Sequence, residues 1–267
     1  MLTKRIALAR TAALAAVLVS GGSALAAPFA YVTNQKADNV SLIDLQDQKV
    51  IGEIAVGKDP AGVAVSEGGA RVLIASPTAK EVALIDGRTQ KVVNVMRVGD
   101  GPLGVAIARD GRRGYVADFY GHFVSVIDVD GQEIVKRVPV GHYPAGLAVS
   151  VAGDAIYVAE REDNTVSKIN AKTLTIDRTV RVGGHPFGVL QDAASQRLYV
   201  ANVETNDVSV IDLLRFEVVA TIRVGERPYA LAMAGRPARL FVTNQYDHSI
   251  SVVDPSTYQV IKTVSVG

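Results

Sequence analysis

Apolar and polar positions alternate along this chain in short runs, and turn-forming residues separate the runs. Gly62-Val63-Ala64-Val65, Val72-Leu73-Ile74-Ala75, Val82-Ala83-Leu84-Ile85 and Lys91-Val92-Val93-Asn94-Val95 follow one another, with Glu67-Gly68-Gly69 and Asp86-Gly87-Arg88 as turns. Short β-branched, period-two runs bounded by Gly and Asp read as antiparallel strands joined by hairpins.

The pattern is itself periodic. Val-Gly recurs at Val56-Gly57, Val98-Gly99, Val140-Gly141, Val182-Gly183, Val224-Gly225 and Val266-Gly267, a step of 42 residues each time. A second anchor keeps the step: Tyr31-Val32-Thr33-Asn34, Leu73-Ile74-Ala75-Ser76, Tyr115-Val116-Ala117-Asp118, Tyr157-Val158-Ala159-Glu160, Tyr199-Val200-Ala201-Asn202 and Phe241-Val242-Thr243-Asn244. A third ends in Asp44, Asp86, Asp128, Asn170, Asp212 and Asp254. Residues 31–267 therefore repeat without insertion or deletion. Four strands in a repeat of this length predict an all-β β-propeller with four-stranded antiparallel blades. A parallel β-helix uses much shorter coils. The small residues Gly62, Ala64, Gly104, Ala106, Gly146, Ala148 and Gly188 suit the innermost strand, a, where blades crowd around an axis; the Tyr-Val-Thr-Asn run is then strand b. Blade 1 begins at strand b, so the expectation is six visible blades, the first lacking its innermost strand.

Tyr31-Val32-Thr33-Asn34, the Val-Ser-Val-Ile-Asp runs ending at Asp128 and Asp212, and Gly-x-x-Pro-x-Gly at 57–62, 99–104, 141–146 and 183–188 resemble the YVTN family of β-propeller repeats. The resemblance spans nearly the whole chain and implies a WD40-like propeller. It also implies kinship with exported propellers, some linked to quinoprotein dehydrogenase systems. Relatives commonly have seven blades, so a truncated seven-bladed ring is the alternative to six. The family motif implies no catalytic residue, and propellers host binding modules and enzymes alike.

Composition changes the picture in two respects. The chain has 48% hydrophobic residues and near-balanced charge, 28 Lys+Arg against 27 Asp+Glu, as folded proteins do. The absence of Cys excludes disulfides, thiolate zinc sites, iron–sulfur clusters, covalently attached c-type haem and a cysteine nucleophile. Basic Lys4, Arg5 and Arg10 precede the apolar run 11–19, with Ala24 and Ala26 placed for cleavage before Ala27. Residues 1–26 read as a secretory signal peptide, and 27–267 as a single propeller domain in the periplasm or secreted. The apolar run is too short for a membrane anchor. Cleavage removes three basic residues and no acidic one, which turns the net charge negative and counts against nucleic-acid binding.

Strand alternation puts the b–c loops and d–a loops on one face. All four histidines map there: His122 and His248 in b–c loops, His142 and His185 in d–a loops. Asp118 and Glu160 stand at the ring position held elsewhere by Asn34, Ser76, Asn202 and Asn244. The candidate ligand-binding residues are His142, Tyr143, His185, Asp118, Glu160, His122 and Tyr120, with a protein partner or a small ligand as occupant. Exposed aromatics mark recognition surfaces. The competing reading is that the ring residues cap turns and the histidines are solvated. A second function class is a metal-dependent lactonase-like or esterase-like hydrolase at the channel mouth, using Asp118, Glu160 and His142. A redox-accessory role rests on the family resemblance. No motif assigns a cofactor or a metal.

Overall fold

The protein, described here by a computed structural model covering residues 16–18 and 29–266, is a six-bladed β-propeller. Each blade is a four-stranded sheet whose strands pair antiparallel in chain order. The blades occupy residues 16–55, 63–97, 102–139, 144–181, 186–223 and 228–265. Blade 3 illustrates the plan, with strand a Pro102–Ile107, strand b Arg113–Asp118, strand c Phe123–Asp128 and strand d Glu133–Pro139. All six blades shift register at the same point of the c–d pairing, as between Val126 and Ile127 or Val210 and Ile211. Such a bulge adds twist where the outermost strand leaves the sheet.

The core lies between blades. Alternate residues of strands b and c face opposite neighbours, so Tyr115, Val124 and Val126 of blade 3 meet Leu147, Ile156, Val158 and Ile169 of blade 4. Equivalent layers join the other consecutive pairs. A fully buried aliphatic side chain of this kind contributes about 1.5–3 kcal/mol. Strand d, on the rim, keeps one face wet and reads accordingly, as in Lys91–Arg97.

Close approach explains both glycine motifs. A Cβ on Gly104 or Gly146 would collide with the carbonyl oxygen of Ala145 or Phe187 in the next blade's strand a, so the Pro-x-Gly position must be bare at the axis. A Cβ on Gly99 would overlap the Asp118 carboxylate, and one on Gly183 would crowd the Asn202 amide. The glycine of Val-Gly therefore makes room for the side chain ending strand b. Blade 6 carries Ala230 at the axial position, and that residue is exposed.

The expectation that blade 1 lacks strand a is corrected. Ala16–Leu18 takes the place, antiparallel to Ala30–Val32. An unpaired strand edge accepts an extended segment, and Ala16–Leu18 supplies one. The rest of the expected signal peptide lies outside the described residues.

Candidate functional site

The loop face is built on a repeated clamp. The residue before strand c has a left-handed backbone in every blade: Asp38, Lys80, His122, Asn164, Asn206 and His248. In four blades its side chain reaches the next d–a loop and accepts a backbone N–H. Asp38 takes that of Asp59 at 2.9 Å, His122 that of Tyr143 at 3.0 Å, Asn164 that of His185 at 2.8 Å and Asn206 that of Arg227 at 2.9 Å. His122 thus does the work that Asp or Asn does elsewhere. Its Nδ1 must be unprotonated to accept, so the hydrogen-bond pattern assigns the ring proton to Nε2.

Around this clamp, between blades 3 and 4, an aromatic cluster stands on the surface. Phe119 and Tyr120 meet edge to face at 5.2 Å, and Tyr143 packs 5.0 Å from Phe119 and 5.0 Å from His122. His122 and His142 meet edge to face at 5.1 Å. Tyr120 is 64% exposed, so the cluster offers a ring surface to solvent.

His142 is oriented by Asp163, which accepts its backbone N–H at 2.7 Å and lies 3.0 Å from its Nδ1. The backbone N–H, then the ring, hold the Asp163 carboxyl below the usual carboxylate range. With Nδ1–H donated to Asp163, His142 Nε2 is left as an acceptor. Asp163 was missed in the sequence, although its register equals that of Asp247, which clamps Glu226 N–H at 2.6 Å in the same way.

His185 belongs to a separate group between blades 4 and 5. Its Nδ1 lies 3.2 Å from Arg161 Nη2, and its Nε2 is 3.8 Å from Glu162 and 3.7 Å from Glu204. The structure therefore brings His122, His142, Tyr143 and Tyr120 together, and leaves His185 with charged neighbours.

Asp118 and Glu160 lie beneath the loops, both almost fully buried. Asp118 accepts the N–H of Gly101 at 3.2 Å and of Gly121 at 2.6 Å. Glu160 accepts the Gly141 N–H at 2.8 Å and the Thr165 hydroxyl at 2.5 Å. Both carboxylates are thus engaged in holding loops. The ring asparagines act differently, donating into strand c: Asn202 to Asp207 and Ser209, Asn244 to Ser249 and Ser251. Among the described residues no group of three or more His, Asp or Glu is arranged to hold a metal ion. What the surface offers is aromatic contact, one oriented imidazole acceptor and a flanking set of charges.

The fold and this loop face define a propeller of the repeat type, and comparison with known proteins agrees at that level. Residues 3–109 match the family model of the YNCE-like beta-propeller. Hydrazine synthase of Kuenenia stuttgartiensis is similar in fold, with a TM-score of 0.64 at 16% identity over 95% of this chain and 99% of that one. A functionally unknown protein from Desulfotomaculum acetoxidans DSM 771 has a TM-score of 0.78 at 14% identity, covering 88% of this chain and 79% of that one. At such identities the likeness is one of fold. No curated protein matches the chain.

Proposed function

We propose that this protein is an exported, non-enzymatic binding module that recognises a protein partner through the loop face of blades 3 and 4. The observation that carries the reading is the exposed cluster of Phe119, Tyr120, Tyr143, His122 and His142, held by a loop clamp that recurs in four blades. Aromatic rings backed by fixed loops provide contact area at little entropic cost. The bound Asp163 carboxylate fixes the His142 ring, so its Nε2 can accept one hydrogen bond from an incoming donor. Uniform 42-residue spacing also favours a surface over a pocket, because enzymes commonly build their sites from loops of unequal length. Export rests on the basic and apolar pattern of residues 1–26, and an accessory role beside a periplasmic redox system rests on the family resemblance.

The test is comparative capture from periplasmic extract with wild-type protein and Tyr120→Ala, followed by binding measurements on the purified partner. A partner held by wild-type and weakened about tenfold or more by Tyr120→Ala, with the melting temperature unchanged, supports the reading. Equal affinity for both proteins defeats it.

A further inference from the structure

The face opposite the histidines, formed by a–b and c–d turns, holds a cavity of about 730 Å³ between blades 3 and 4. Arg112, Arg113, Lys168 and Lys172 line it. Three acids share the wall and keep their charge, each turned to a neutral donor: Asp110 accepts the Arg112 backbone N–H at 3.0 Å, Asp154 the Ser150 hydroxyl at 2.5 Å and Asp177 the Asn170 amide at 3.3 Å. Arg109 is taken by Glu67 of blade 2. The four cations named first form no ion pair among the described residues.

Their presence is a local departure from the repeat. The residue opening strand b is Arg in blades 2, 5 and 6, and there it pairs with the Asp ending strand c. Arg71 lies 3.6 Å from Asp86, Arg197 2.8 Å from Asp212 and Arg239 3.5 Å from Asp254. Arg113 stands opposite Asp128 in the same register, yet its guanidinium reaches over the cavity edge to the Ala171 carbonyl of blade 4 at 3.4 Å. Blade 4 has neither partner of this pair, carrying Ala155 and Asn170 instead. Lys168 stands in strand c where the other blades have Leu42, Leu84, Val126, Val210 and Val252. Three of these departures favour positive charge at one interface, since Lys168 adds a cation, Asn170 removes an acid and Arg113 is left without its carboxylate, while Ala155 takes one cation away.

Unpaired cations gathered around a cavity are stabilised by an anion, and a planar guanidinium favours oxyanions that accept two parallel hydrogen bonds. We propose that this cavity is a binding site for a small ligand bearing two or more oxyanion groups, phosphate or carboxylate. The site is separate from the loop face and independent of the reading given for it.

Isothermal titration of the full chain at low ionic strength with pyrophosphate, and separately with citrate, tests the proposal. The expected result is saturable one-to-one binding of at least one probe, weakened about tenfold by Arg113→Ala and by Lys168→Leu. Lys168→Leu restores the residue of blades 1 and 2, so it separates loss of charge from loss of fold. Arg239→Ala removes the equivalent Arg where it is ion-paired, and should leave the affinity at the wild-type value. Preference for pyrophosphate assigns a phosphorylated ligand, and preference for citrate a polycarboxylate. Absence of binding by either probe at millimolar concentration overturns the site, as does wild-type affinity in both Arg113→Ala and Lys168→Leu.

Discussion

At the scale of single residues, space and hydrogen-bond partners explain what the repeat leaves unexplained. The two glycine motifs are visible in the sequence, but their cause is visible only once the blades are set side by side. Gly146 illustrates the point: its added Cβ would meet backbone of blade 5, which has no flexible end to give way, whereas a Cβ on Gly52 meets nothing within 4 Å. Gly146→Ala should lower unfolding free energy by on the order of 1–3 kcal/mol, as overpacking does. Gly52→Ala should be neutral or slightly stabilising, and urea denaturation of the two variants reads the difference. Asp163 supplies a pH test. Its folded-state pKa lies below the ordinary value of 3.8, chiefly through the His142 N–H. A depressed carboxylate adds stability that is fully present above its unfolded pKa and is lost as pH falls through the folded one. Asp163 should therefore stay charged below pH 3.8 in an NMR titration of its side-chain carboxyl, and Asn at this position should abolish that titration while loosening the His142 loop. An unshifted midpoint would remove the assigned clamp.

Elements were the most legible level, because a strand with two faces writes its alternation directly into the chain. Strands b and c of blade 2, read as 72–75 and 82–85, are Arg71–Ser76 and Glu81–Asp86 in the structure. The Asp ending strand c also reads correctly as turn chemistry. Asp44 accepts the N–H groups of Gln46 and Asp47 at 2.8 and 3.1 Å, and Asn170 does the same for Lys172 and Thr173 at 2.9 and 3.1 Å. Asp44→Ala should cost roughly 0.5–1.5 kcal/mol, the range for a lost hydrogen bond, while leaving partner binding intact. Thermal melts and the binding assay together check this, and a loss of binding would mean that the two faces are coupled. Other features of the elements were not legible. The c–d bulge has no residue signature, since Val93, Val135 and Val219 near it look like ordinary strand residues. The loop clamps join residues of neighbouring blades, as His122 joins Tyr143, and a periodic sequence does not say which side chain crosses the gap.

For the molecule as a whole, period and alternation together place both faces, which is why the histidines could be assigned to one side before any coordinates. The anionic-ligand cavity escaped because its cations are spread over residues 112–172 and come together only when blades 3 and 4 pack. The inner edge of blade 1 escaped for a different reason: one segment has two physical uses. The apolar run 11–19 suits a secretory signal, and part of it, Ala16–Leu18, also completes the first blade against Ala30–Val32. These uses exclude one another in a processed chain, because cleavage before Ala27 would take the strand away with the leader. An inner strand edge left open has backbone N–H and C=O groups that must find water or another strand. Hydrogen exchange on the full chain and on a chain beginning at Ala27 distinguishes the outcomes. If Ala16–Leu18 is the working strand, those amides of residues 30–32 that point toward it exchange slowly in the full chain and become fast in the shorter one, with the other five blades unchanged. Equal protection in both chains would mean that the blade closes without this segment, and that residues 1–26 are free to serve export alone.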